Sequence, residues 1–171
     1  MAGGLFLAAC ASTPGPAPAR DDALAGRLAA LAQAVCLPAQ DAGLRVGAHL
    51  EASGGAPAHG LRPAAPPATG WVLAADPRVG VAKVQSACVV SADPPPLGST
   101  EALLAALRPV GTLGLARRAR PGVTAWPHCR SGKLFTVLAG EGPDGATLAV
   151  AVPDRAVPCG MAPPVPGVAP R

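Results

Sequence analysis

With Cys10 near the N-terminus set aside, any fold for this chain has to accommodate the other four of its five cysteines, Cys36, Cys88, Cys129 and Cys159, spaced 52, 41 and 30 residues apart. No C-x-x-C brings two of them together locally, so their spacing gives no support to a zinc or iron–sulfur site. No metal and no cofactor is expected. An even set suits two disulfides, with three connectivities open. Proximity in sequence favours Cys36–Cys88 with Cys129–Cys159. Four buried free thiols, acting as small hydrophobes, are the plainer alternative. Bridges matter here because the remaining chain supplies little bulk. Its 171 residues include two Trp, two Phe and no Tyr, but 39 Ala, 21 Gly and 22 Pro. That composition excludes a large aromatic core and leaves room for one small domain with Pro-rich ends. A disulfide adds about 2–4 kcal/mol, which counts for much in a core this thin.

The net charge is +4, with 12 Arg and only two Lys. Ile and Asn are absent as well. Strongly GC-biased coding produces the same pattern, so the charge says little about partners. Charged residues are scattered, and no block of five like charges forms a nucleic-acid-binding arm. No nucleic acid partner is expected.

The N-terminus reads MAGGLFLAAC. Its end, Leu7-Ala8-Ala9-Cys10, resembles the lipobox of bacterial lipoproteins, preceded by a shortened signal peptide over residues 1–9. The resemblance implies that Cys10 becomes the first mature residue and carries lipid on its thiol. Residues 10–20 then form a Pro-rich tether. Position 11 is Ala and not Asp, which by the same resemblance implies delivery to an outer membrane. The expectation is a periplasmic domain anchored to a membrane through its lipid, and an oxidising compartment fits the disulfides.

Residues 21–159 carry the periodic signals. Leu24, Leu28, Leu31 and Val35 fall on one face of a helix from Asp21 to about Cys36, which Leu37-Pro38 should stop. A second short helix is expected within Gln40–Glu51 and a loop over Ala52–Thr69. Gly70–Ala75 and Val79–Ser91 read as strands, the latter with Ala82, Val84, Ser86, Cys88 and Val90 on one face. Ser99 or Thr100 should cap a helix to Leu107. Strands follow near Thr112–Arg118, Val123–Trp126, Leu134–Ala139 and Ala146–Val152, the last two joined through Glu141–Gly145 as a hairpin. Residues 160–171 read as a mobile Pro-rich tail. The fold class is α+β, an antiparallel sheet of about five strands with an N-terminal helix and one helix between strands. PAS-like or profilin-like domains share such an order, as topology alone.

Catalytic patterns are weak throughout. His128 precedes Cys129, but neighbours in a strand point to opposite faces, so His128 is a poor base for that thiol. Ser99 lies in no G-x-S-x-G. Asp41, Glu51, Asp76, Asp93, Glu141, Asp144 and Asp154 fall in expected loops, where carboxylates are ordinarily solvated. His49, His59 and His128 lack metal-ligand spacing. The most distinctive polar feature is Arg117-Arg118-Ala119-Arg120, with Arg130 and Lys133 downstream. If extended, Arg118 and Arg120 share a face and offer guanidinium forks to an anion. Anionic lipid or an envelope polymer is the expected partner class, and a solvated edge strand is the competing reading. Trp71, Trp126 and Phe135 should fill the centre of the core.

The sequence thus points to a lipid-anchored cell-envelope protein with a non-enzymatic binding or structural role. A periplasmic small-ligand sensor is one alternative, favoured if Trp71, Trp126 and Phe135 line a pocket. An envelope enzyme with a site assembled only by the fold is another.

Overall fold

A computed structural model describes residues 22–95, 98–143 and 145–160. The lipobox, Cys10, the tether, Asp144 and the tail from residue 161 lie outside the described residues. The fold is α+β, with helices on one face of an antiparallel sheet. The sheet has nine strands and not the five expected, ordered β1-β2-β3-β4-β9-β8-β7-β5, with β6 also paired to β7. The strands are β1 (Leu61–Pro63), β2 (Trp71–Leu73), β3 (Asp76–Val84), β4 (Ala87–Ala92), β5 (Thr112–Leu113), β6 (Arg117–Arg120), β7 (Val123–Arg130), β8 (Lys133–Gly142) and β9 (Gly145–Pro153). The helices are α1 (Asp22–Leu31), α2 (Leu37–Asp41), α3 (Val46–Ala52) and α4 (Ser99–Leu107).

The first helix does not stop at Pro38. A π-helical stretch, Ala32–Cys36, follows α1, and α2 continues directly from it with Pro38 in its first turn. The wider π turn accommodates a residue that has no N–H to donate, and Pro is tolerated at the start of the new α segment. Gln40, expected in a second helix, therefore belongs to α2 and is buried. Its Nε2 donates to the Leu134 carbonyl at 3.3 Å and to the Pro153 carbonyl at 3.1 Å, tying α2 to β8 and β9.

Val79–Ser91 is a hairpin and not one strand. Val84 pairs with Ala87 across a turn at Gln85 and Ser86. Gln85 adopts φ +53°, the left-handed region that Gly usually fills, so no Gly, Pro or Asn marks the turn in sequence. The reversal also changes the inward face of β3 to Val79 and Val81, while Val84 is exposed. On β4, Cys88 and Val90 point inward as expected, and Ala92, beyond the expected end of the strand, joins them. Thr112–Arg118 breaks into β5 and β6, which share one edge of β7. The loop expected over Ala52–Thr69 contains a 3₁₀ turn, Ala56–His59, and strand β1. Gly98, at φ +79°, caps α4, and Ser99 is buried with no cap hydrogen bond. The β8–β9 hairpin is present, with Glu141 paired to Ala146 and Gly142 to Gly145.

The core lies between the helices and the sheet. Leu24, Leu28, Val35, Leu103 and Leu107 meet Val79, Val81, Val90, Phe135, Val137 and Val150 in one buried cluster. Alternate residues on the other face, Val123, Ala125, Leu138, Ala149 and Ala151, form a smaller cluster that contains no helical residue. Small side chains and period-2 alternation explain how strands this Ala-rich are buried on both sides.

Candidate functional site

The cysteines pair as Cys36–Cys88 and Cys129–Cys159, with Cα atoms 5.5 and 5.7 Å apart. The first bridge fastens the π turn to β4, and the second fastens the chain after β9 to β7. Cys129 is thereby removed as a nucleophile.

The arginine run forms β6, but its faces differ from expectation. Arg117 pairs with Ala125, Arg118 with Thr124, and Arg120 with Val123, so the register shifts across Ala119. One extra residue reverses the alternation. Arg117 and Arg120 therefore share the outer face with Ala125 and Val123, and Arg118 lies opposite. Arg120 Nη2 donates to Thr147 Oγ1 at 3.0 Å. Arg117 and Arg118 are exposed beside a hollow of about 380 Å³ lined also by Gly122 and Thr124. Leu115, just ahead of them, is 85 % exposed. Arg130 and Lys133 do not join this patch. Each donates to Asp41 at 2.9 Å, clasping α2 to the β7–β8 hairpin. The Lys133 contact leads in holding the Asp41 carboxyl below its ordinary range.

Two carboxylates expected in solvent are buried or nearly so. Asp76 is 5 % exposed and receives Arg78 Nε at 2.9 Å, Arg78 Nη2 at 2.8 Å and Arg27 Nη1. Hydrogen bonds from Arg78, and then from Arg27, hold its carboxyl far below the usual carboxylate range. This cluster fixes α1 against β3 and leaves no open acceptor for catalysis. Asp154 is the second, and its Oδ1 is buried without a hydrogen-bond partner.

Histidine gives one catalytic-looking contact, Ser53 Oγ to His59 Nε2 at 2.8 Å. The same hydroxyl donates to the His49 carbonyl at 2.7 Å. One proton cannot serve both, so His59 is the donor and the hydroxyl is not activated. His128 is fully buried and stacks on Phe135, ring centroids 4.9 Å apart. Neither ring nitrogen has a hydrogen-bond partner. Burial depresses its pKa, opposed by the Gly111 backbone. Phe135 fills the core as expected. Trp71 and Trp126 are only half-buried and pack against its margin.

A cleft that the sequence does not reveal opens where the α2–α3 loop, the β3–β4 turn and the exit of β9 meet. Its volume is about 720 Å³, within the usual range of ligand sites. Arg45, Lys83 and Arg155 supply cations, Gln85 and Ser86 neutral donors, and Asp154 the one carboxylate. Lys83 Nζ lies 3.8 Å from Asp154 Oδ2. The three cations are 38 and 72 residues apart in the chain. No motif could have joined them. The available signal was proximity to cysteines, since each cleft segment lies within nine residues of Cys36, Cys88 or Cys159.

No family model, no curated protein and no solved structure matches this chain.

Proposed function

We propose that this chain is a lipid-anchored protein of the cell envelope whose folded part binds and does not catalyse. Cys10 holds the lipid, residues 11–20 tether the domain, and the outer membrane is the site of attachment. The observation that carries this reading is the pair of disulfides, Cys36–Cys88 and Cys129–Cys159, which suits an oxidising compartment. The arginine edge adds a membrane-facing surface. Exposed Leu115 stands next to Arg117 and Arg118, an apolar tip with cations beside it, and anionic lipid is the partner it fits. The five longer strands lie in the order β3-β4-β9-β8-β7, with α4 between β4 and β7 in the chain. A PAS-like or profilin-like sheet sets its first strand beside its fifth, and here the second, β4, takes that place beside β9. That comparison is one of topology and carries no function.

The test is the intact mass of the exported protein, with and without reduction. A lipid increment on Cys10 and a gain of four hydrogens on reducing both bridges are expected. An unmodified Cys10 in exported protein overturns the anchor. The small-ligand reading has its own support, because the cleft at Arg45, Lys83 and Arg155 has the size and polarity of a binding site.

A further inference from the structure

We propose that the cleft between Arg45, Lys83 and Arg155 binds an oxyanion carried on a polyol, of which an acidic sugar is the simplest case. The inference goes beyond the envelope-anchor reading and needs no membrane.

The cationic side is the first part of the argument. The guanidinium groups of Arg45 and Arg155 have no hydrogen-bond or ion-pair partner among the described residues. Lys83 stands too far from Asp154 for a hydrogen bond. All three keep their donors available, and guanidinium forks match the paired oxygens of phosphate and carboxylate. Three cations against one carboxylate leave the cleft net positive.

Asp154 sets the second requirement. A carboxylate in the wall repels a bare anion and lowers its affinity. Its Oδ2, 3.8 Å from Lys83 Nζ and so without a hydrogen bond from that lysine, is the oxygen that accepts one from a ligand hydroxyl, while Oδ1 is buried beneath it. The site therefore selects a molecule with both an anionic group and hydroxyl donors. Gln85 and Ser86 add neutral partners for further hydroxyls.

The walls are also held in place before any ligand arrives. Asp154 N–H donates to the Ser86 carbonyl at 2.8 Å, joining the exit of β9 to the β3–β4 turn. Cys88, two residues after Ser86, is bridged to Cys36. Gln85 keeps its unfavourable left-handed backbone at the rim. Prior ordering of this kind reduces the entropy lost on binding.

The experiment uses the full chain with Cys10→Ser, exported and oxidised, at low ionic strength. Glucose 6-phosphate, glucuronate, inorganic phosphate and glucose are titrated separately and followed by amide chemical shifts. Glucose 6-phosphate or glucuronate should move the amides of Arg45, Gln85, Ser86 and Arg155 saturably. The better of the two should bind about tenfold more tightly than inorganic phosphate. Their relative affinities decide whether the oxyanion is phosphate or carboxylate. Arg45→Ala and Arg155→Ala, both at exposed positions, should each weaken binding about tenfold with unchanged melting temperature. Asp154→Asn should erase the preference for sugar phosphate over phosphate. The proposal fails if neither acidic sugar binds more tightly than phosphate. It also fails if both arginine variants bind normally, or if the shifts centre on Arg117 and Arg118.

Discussion

Gly122 begins the turn into β7 at φ +75°, and a Cβ there would overlap the Glu141 carbonyl oxygen. The obstruction is backbone, which cannot rotate aside. Gly122→Ala should therefore cost at least about 2 kcal/mol, read as a lower urea midpoint at constant slope. His128 offers a pH readout. Burial disfavours its charged form, so its folded pKa lies below the unfolded 6.5. The associated stability is fully present above pH 6.5 and is lost as pH falls from there toward the folded pKa. His128→Phe keeps a ring against Phe135 and removes two unsatisfied nitrogens. It should flatten the stability profile as pH falls below 6.5. A wild-type profile already flat over that window would contradict the burial of this ring.

At the level of elements, helices and sheet are joined by polar clasps as well as by apolar contact. The Asp76 carboxylate, 6 % exposed at its side chain, is shared by Arg27 of α1 and Arg78 of β3. Its depressed pKa gives stability that is present above the ordinary value of 3.8 and lost as pH falls toward the lower folded value. Asp76→Asn should remove that acid-sensitive component and cost about 1–2 kcal/mol at neutral pH. The cost stays modest because both guanidinium groups are nearly half exposed and return to water. Urea titrations at pH 7 and pH 3 separate the two effects. Strands marked by alternation and bounded by Gly or Pro, such as β8 and β9, were legible in sequence. The β3–β4 turn was not, because Gln85 occupies a position where Gly would have announced it. The extra residue at Ala119 was equally silent, and it reversed which arginines share a face. Pro38 misled because the stop it normally enforces is absorbed by the π turn before it. The cleft was illegible for a different reason, since its cations converge only through tertiary contacts between three distant segments.

Across the whole molecule, the small residues of the core make the disulfides a large part of the stability. Loop-closure entropy puts each bridge at about 4 kcal/mol for separations of 52 and 30 residues. Full reduction is therefore expected to unfold the domain at a much lower urea concentration. Cys36→Ser with Cys88→Ser should do more damage than the equivalent change at Cys129 and Cys159, because the first bridge joins helices to sheet. Circular dichroism during urea unfolding ranks the two variants. The bridges also decide how the protein responds to force. A domain tethered at one end and bound to a partner elsewhere is pulled along its chain. While oxidised, it can pay out only the chain outside the two closed loops. Reduction frees 52 and 30 further residues at about 3.3–3.6 Å each. The same protein is a shorter link in one redox state and a longer, more compliant one in the other.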